Sequence, residues 1–279
     1  MAVDPNVLGT VFESYEVDYD QRDTIVYALG IGAGREPEEL DYVYERDLVA
    51  LPTQPVVSLS RVFMAMTGVL GIAGTARVHG EQRLVLHRPP PPRGRVLVEA
   101  RVTGVWDKGA GTVIDVEAPL SVDGEPLATA TFSSFVRGGG GFGGERGSGL
   151  IERPRLSGEP DTVVEDAMSW NQAQLYRLTG DLNPLHVDPE YARASGFERP
   201  IMHGLCSYGF AVRMAMKGLG ALRPERIAEA NCRFVSPVYP GQDLRLELWA
   251  RDGDRVHGRL HAGDSVAIDP LEIVLRGPI

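Results

Sequence analysis

The sequence predicts an α+β protein made of two copies of one unit, each combining helix with antiparallel strands. Three observations carry this. Residues 202–219 are apolar on nearly every side, with Leu205, Phe210, Val212, Met214 and Met216 set among small residues, the pattern of a helix buried by a sheet. Runs such as Leu244-Arg-Leu-Glu-Leu alternate with the period of two that a half-exposed strand requires. A repeat also emerges when the halves are slid past each other: Met64-Ala65-Met66-x-Gly68 returns as Met214-Ala215-Met216-x-Gly218, a shift of 214 minus 64, or 150. Pro92-x-x-x-Val96-x-Val98-Glu99 returns as Pro240-x-x-x-Leu244-x-Leu246-Glu247 at a shift of 148, and Pro52 pairs with Pro200 at the same shift. Tyr27-x-x-Gly30 answers Tyr176-x-x-x-Gly180 at 149 to 150. Four matches in chain order at nearly one spacing define a unit of about 130 residues.

In the first copy, residues 1–137, a helix leads into the small-residue segment Tyr27-Ala28-Leu29-Gly30-Ile31-Gly32-Ala33, and strands are expected at 83–87, 95–105, 111–118 and 128–136. Leu29-Gly-Ile-Gly-Ala-Gly34 follows a helix rather than a strand, so no dinucleotide site is expected there. The glycine run Gly138 to Gly144 and the polar residues Glu145 to Gly149 have the composition of a flexible or loosely tethered connection and place a linker at 138–150. No Lys-Ser/Thr follows the run, as a phosphate-binding loop would need. The second copy, residues 151–279, opens with a helix over 166–178, apolar at Trp170, Ala173 and Leu175 and capped by Asp166 or Ser169. The apolar helix over 202–219 and strands at 230–234, 244–250 and 255–260 follow. The end, His261-Ala-Gly-Asp-Ser-Val-Ala-Ile-Asp-Pro270, reads as an interrupted strand, because Gly and Pro break pairing. That leaves the register of 271–275 open.

At 279 residues and 43% hydrophobic, the chain can bury a large core. A net charge of −10 and a pI near 5.1 exclude a nucleic-acid surface, which needs a basic face. Cys206 and Cys232, the two cysteines, stand in no metal-ligand or CxxC spacing and read as small buried hydrophobes in a reducing compartment. No stretch approaches the roughly 18 apolar residues of a membrane span. No basic leader opens the chain and Gly-Pro-Ile ends it, so a cytoplasmic protein without a peroxisomal address is expected.

The chemistry concentrates in Tyr176-Arg-Leu-Thr-Gly-Asp-Leu-Asn-Pro-Leu-His186. Asp181, Asn183 and His186 fall within six residues held by Gly180 and Pro184. A carboxylate and an imidazole can each carry a proton, and an amide can orient a water between them. Shifting these positions back by 150 lands on Ile31, Ala33 and Glu36, so the N-terminal copy has lost the set. Small residues at Ala28, Gly30 and Ala33 are candidates to leave room for an acyl chain. No metal constellation or nucleophile triad stands out.

The run Tyr-x-x-Thr-Gly-Asp-x-Asn-Pro-Leu-His, then Asp188-Pro189 and Pro200-Ile201-Met202-His203-Gly204, resembles the hydratase 2 motif of the MaoC-like dehydratases. The similarity extends to residues 27–33, His79-Gly80-Glu81-Gln82, Phe135-Val136-Arg137-Gly138 and Pro240-Gly241. It implies a double hotdog fold, two antiparallel sheets each wrapped around a central helix and joined into one. It implies an (R)-specific 2-enoyl-CoA hydratase in which Asp181 and His186 flank a water that adds syn across a trans-2-enoyl thioester, with Asn183 helping to hold it.

A close Asp and His titrate as a pair, so base and acid are left unassigned. Gly204 is the candidate oxyanion donor, because its N–H at a helix start lacks a partner within the helix. Arg233 and Lys217 are candidates to meet coenzyme A phosphates. His79 is expected to serve structure or contact between the copies, His203 packing or a hydrogen bond, and Asp188 a turn or cap; His257 and His261 are expected to be exposed. No cofactor is implied beyond the coenzyme A thioester as substrate. A homodimer acting on a small acyl-CoA or acyl-carrier substrate is expected, alongside two alternatives: a dehydratase for a bulky or branched acyl group, and a non-catalytic acyl-binding subunit.

Overall fold

A computed structural model describes residues 3–71, 77–220 and 223–277. The first repeat holds strand β1 (Tyr15–Tyr19), helix α1 (Gln21–Gly30), helix α2 (Ser60–Leu70) and strands β2 (Arg77–Leu86), β3 (Gly94–Val98), β4 (Arg101–Asp107), β5 (Gly111–Val122) and β6 (Glu125–Arg137). The second holds β7 (Thr162–Ala167), helices α3 (Gln172–Tyr176), α4 (Pro189–Ala194) and α5 (Gly204–Gly218), and strands β8 (Ile227–Phe234), β9 (Asp243–Asp252), β10 (Arg255–Ala262) and β11 (Ser265–Leu275). Pairing is antiparallel throughout, in the order β1-β3-β5-β6-β2-β8-β11-β10-β9-β7, with β4 alongside β5. The expected joining of the two sheets is present. It is made by β2 against β8, in register from Glu81 opposite Arg233 to Val85 opposite Glu229.

The elements follow from side-chain period. In β9, Leu244, Leu246 and Leu248 are buried, and the intervening Arg245 and Glu247 side chains pair with one another. Residues 205–216 of α5 are all buried, so the helix is enclosed by strands rather than laid on a surface. Close approach requires glycine at two places. A Cβ on Gly209 would come within 2.5 Å of Ile31, and Gly32 takes φ +80° where a Cβ would lie 2.5 Å from Phe210.

One charge sits in this apolar packing. Arg213 is 6% exposed, donates from Nε to the Ile31 carbonyl at 3.0 Å and forms ion pairs with Glu39 and Asp166. Arg35 also pairs with Asp166, at 3.0 Å. The Gln172 amide donates to the carbonyls of Leu29 and Gly30. Helix α5, the segment after α1 and the start of the second repeat are thereby tied together.

Four local expectations change. Residues 162–167 form a strand, because Val163 and Val164 favour a pleated surface and their backbone pairs with β9; the helix is confined to α3 and a 3-10 turn at Arg177–Thr179. Asp166 therefore belongs to a strand and an ion pair and caps no helix. At the end of the chain, β11 runs on through Pro270, which sits in a bulge between Ile268 and Leu271 where the ladder asks for no N–H. The glycine run is held rather than loose: the Asp107 carboxylate accepts from the N–H groups of Gly109, Gly141 and Gly143 at 2.8 to 2.9 Å, and Glu81 accepts from Leu150 at 2.6 Å. His257 and His261 are half-buried rather than exposed, and His261 lies 3.2 Å from Glu247.

Removing Arg213 leaves a buried carboxylate on Glu39 without its partner. Arg213→Ala is expected to lower the unfolding free energy by about 3–5 kcal/mol. Arg101→Ala, whose pair with Glu117 is exposed, should cost under about 1 kcal/mol. Urea denaturation of both variants checks this, and equal, small changes would refute the role given to Arg213.

Candidate active site

The motif loop is built by local caps. Gly180 takes φ +121°, a conformation open to glycine, and turns the chain out of the 3-10 segment. The Asp181 carboxylate accepts from the Asn183 N–H at 3.2 Å, and Asn183 Oδ1 accepts from the Leu185 N–H at 3.1 Å, capping the 3-10 turn Pro184–His186. Asp188 caps α4 by accepting from Glu190 and Tyr191. These bonds hold Asp181 half-buried and Asn183 exposed, and tuck His186 inside at 8% exposure.

Two imidazoles meet there. His186 Nδ1 lies 2.9 Å from the Ile201 carbonyl, and His203 Nε2 lies 3.1 Å from the Asp181 carbonyl. A carbonyl can only accept, so His186 carries its proton on Nδ1 and His203 on Nε2. The lone pair of His186 is therefore on Nε2. The rings stack with centroids 3.7 Å apart at 28°. Burial lowers the pKa of His186, against the opposing pull of Asp181 and the bond to Ile201. Burial and the neighbouring His186 push His203 well below the usual histidine range. His203 is 1% exposed and its Nδ1 has no partner among the described residues, which costs about 1–3 kcal/mol.

One oxygen of Asp181 and one nitrogen of each imidazole lie within 4.8 Å of one another. That spacing takes one water with two hydrogen bonds. The trio also has the residue types of a metal site. Stacked rings, however, send their in-plane lone pairs side by side, and a shared ion at about 2.0–2.1 Å needs them to converge.

Gly204 opens α5, with His203 at the N-cap, so its N–H has no acceptor within the helix. A Cβ there would sit 3.4 Å from the Phe234 ring, an ordinary contact. Packing alone therefore does not demand glycine. Phe234 leads into the first repeat, where its ring meets His79, and His79 packs on Phe63 and Phe132. Ser60 of α2 faces Gly180, and the Arg77 guanidinium on β2 interacts with the Asp181 charge while donating to the Phe63 carbonyl at 2.6 Å. The site thus stands on the seam between the repeats.

The remaining expected positions lie elsewhere. Ala28 and Ala33 are buried in the core, and a Cβ on Gly30 would lie 3.4 Å from Tyr176. Room is found beside α1, in a cavity of about 260 Å³ lined by Tyr27, Pro55, Val57, Leu127, Leu178 and Gly180, among others. Lys217 pairs with Glu36 at the opposite end of α5, about 20 Å along the helix from Gly204. Arg233 donates to the Asp269 carbonyl at 3.4 Å. Two further cations act on the site, Arg77 on Asp181 and Arg177 on His203. Neither is marked by sequence spacing.

One continuous antiparallel sheet with a helix packed on it in each half, α5 enclosed and α2 half-exposed, is the architecture of a double hotdog protein. Residues 17–138 match the MFE-2 hydratase 2 N-terminal domain and residues 153–267 the MaoC like domain. A mouse protein named peroxisomal multifunctional enzyme type 2 is 39% identical over 90% of this chain, which spans 35% of that protein's length. A Dictyostelium discoideum protein named probable enoyl-CoA hydratase 2 is 36% identical over 89% of this chain and 88% of its own. The crystal structure of a MaoC-like dehydratase from Phytophthora capsici superposes with a TM-score of 0.84, at 29% identity and 96% coverage of both chains. The chain belongs to the hydratase 2 family of MaoC-like dehydratases.

Burial holds His79 neutral, with its pKa lowered to about 3. A histidine depressed in the folded state and ordinary when unfolded binds protons on unfolding, so stability is full above about pH 6.5 and is lost as pH falls toward about 3. His186 and His203 act in the same direction. Melting temperature followed against pH should fall across that window, and His79→Gln should flatten the slope. An unchanged slope in the variant would show that His79 does not contribute.

Proposed function

We propose that the protein catalyses reversible syn hydration of trans-2-enoyl-CoA to (3R)-3-hydroxyacyl-CoA. The observation that carries this reading is the pairing of the Asp181 carboxylate with His186, whose Nε2 lone pair is left free by the Nδ1 bond to Ile201. A water in the gap loses a proton to one of the two groups as its oxygen bonds to carbon 3. Carbon 2 takes a proton from the pair on the same face, so the elements of one water are added and the pair ends as it began. Negative charge gathers on the thioester oxygen in between, and the Gly204 N–H at the start of α5 is the donor assigned to it. Asn183 keeps a side-chain N–H₂ for the water while its Oδ1 holds the turn. The name of the Dictyostelium discoideum relative supports a hydratase on coenzyme A thioesters.

The same groups run the reaction backwards, and the Phytophthora capsici protein is named a dehydratase, so dehydration of a bulky or branched acyl group is the second reading. The acyl tail is assigned to the first repeat, in the cavity beside Leu178 and Gly180. Leu178 is 64% exposed there, and Leu182 and Met64 are exposed apolar neighbours of the same loop and of α2. Arg77 and Arg177, which act on Asp181 and His203, are added to Arg233 as candidates for the phosphates, while Lys217 lies at the far end of α5.

Hydration of crotonyl-CoA, a medium-chain and a bulky enoyl-CoA, with chiral analysis of the product, tests the reading. Asp181→Asn and His186→Gln should each lower kcat by roughly 10²-fold or more. A (3S) product, or near-parental turnover in both folded variants, would remove it; binding without turnover by the parent would favour an acyl-binding subunit. Because the His186 pKa is lowered, the acid limb of kcat/KM should lie below pH 6.5.

Gly204→Val keeps the N–H but sets a side chain against the approaching thioester carbonyl, and should lower kcat by roughly 10²-fold; a folded, fully active variant would mean that the carbonyl is held elsewhere. Val57→Trp should cut kcat/KM on long chains more than on crotonyl-CoA. Equal losses on every chain would place the tail elsewhere.

A further inference from the structure

We infer that His203 is a positioning residue for this site, setting the place of Asp181 through its backbone carbonyl and that of His186 through ring stacking. The inference rests on the hydratase reading and adds a third side chain to it. Three observations converge on His203. Its Nε2–H donates to the Asp181 carbonyl at 3.1 Å, a bond across 22 residues of chain that reaches the one residue whose carboxylate must face the water. Its ring covers His186 at 3.7 Å, so His186 turns about its own side-chain bonds only by breaking the stack. Its backbone is the N-cap of α5, immediately before Gly204. One residue therefore joins the carboxylate, the imidazole and the oxyanion donor. Asp181 otherwise sits on a loop, where its carboxylate is held from within the loop by the Asn183 N–H.

The two rings also carry opposite tautomers, His186 protonated on Nδ1 and His203 on Nε2. The single N–H of neutral His203 is spent on the Asp181 carbonyl, so His203 has no donor left to occupy the Nε2 lone pair of His186. His203 thus fixes His186 without consuming the lone pair that the reaction uses. A purely space-filling residue at 203 would need neither the hydrogen bond nor the ring.

The two contacts can be removed separately. His203→Phe keeps a ring for the stack and leaves the Asp181 carbonyl unpaired. His203→Gln keeps a donor near the position of Nε2 and gives up the stack. His203→Asn is too short to reach the carbonyl and offers a polar control should the Phe variant fold poorly. Misplacing a reacting group by about 1 Å costs on the order of 10²-fold in rate, so His203→Phe and His203→Asn should each lower kcat by about that factor with KM changed less than about threefold. His203→Gln should recover at least about a tenfold share of the loss. Nitrogen-15 spectra of the imidazoles provide a readout independent of turnover: His186 should hold its Nδ1–H tautomer in the parent and in His203→Phe, and become a tautomer mixture in His203→Gln.

A parent enzyme that hydrates no enoyl-CoA would sink the hydratase reading while the spectra still report on the stack. An active parent with His203→Phe and His203→Asn at parental kcat, or with His203→Gln no better than either, would overturn the positioning role. Losses confined to KM or to melting temperature would assign His203 to packing alone and overturn it equally.

Discussion

The antiparallel pairing of β2 with β8 is the constraint on which the site depends. It makes one sheet of two and fixes the repeats in a single register, Glu81 against Arg233 through Val85 against Glu229. With that register set, α2 and β2 of one repeat arrive beside the motif loop of the other, bringing Ser60 to Gly180 and the Arg77 charge toward Asp181. A slip of one residue would invert every side chain on the joining strands and take Phe234 away from both His79 and Gly204.

The two repeats have diverged at equivalent places. A shift of 150 carries Asp181 to Ile31 and Phe63 to Arg213. At Ile31 the chain offers its carbonyl, and Arg213 donates to it while pairing with Glu39 and Asp166. Around Asp181, the counterpart Phe63 belongs to an aromatic group with His79 and Phe132. One end of the pseudo-symmetric pair is thus closed by a buried guanidinium, and the other keeps an apolar wall beside ionisable groups.

Much of this was legible in the sequence because it is local. Asp181, Asn183 and Asp188 act through caps spanning two or three residues, and a linear motif records such contacts fully. Helix α5 declared itself by apolar residues on all sides, and the joined sheet by the repeat. What escaped was non-local or a contest between periods. Arg77 and Ser60 reach the loop from more than a hundred residues away. At 166–167, strand pairing with β9 overrides a helical spacing, and at Pro270 a bulge absorbs what the sequence marks as a break. The small residues near Ala28 signalled close packing against α5 and α3, which has the same sequence signature as empty space.

The strap that Asp107 makes from the N–H groups of Gly109, Gly141 and Gly143 bears on how the halves find each other. Two specialised halves encoded as separate chains could pair like with like as well as like with unlike, and a pairing of two first repeats would hold no Asp181. Covalent fusion supplies each half with its proper mate at a local concentration in the millimolar range. Pinning the glycines shortens the free tether further, so the correct mate is also the nearest. Divergence of the two copies was thereby released from the demand that either copy recognise itself.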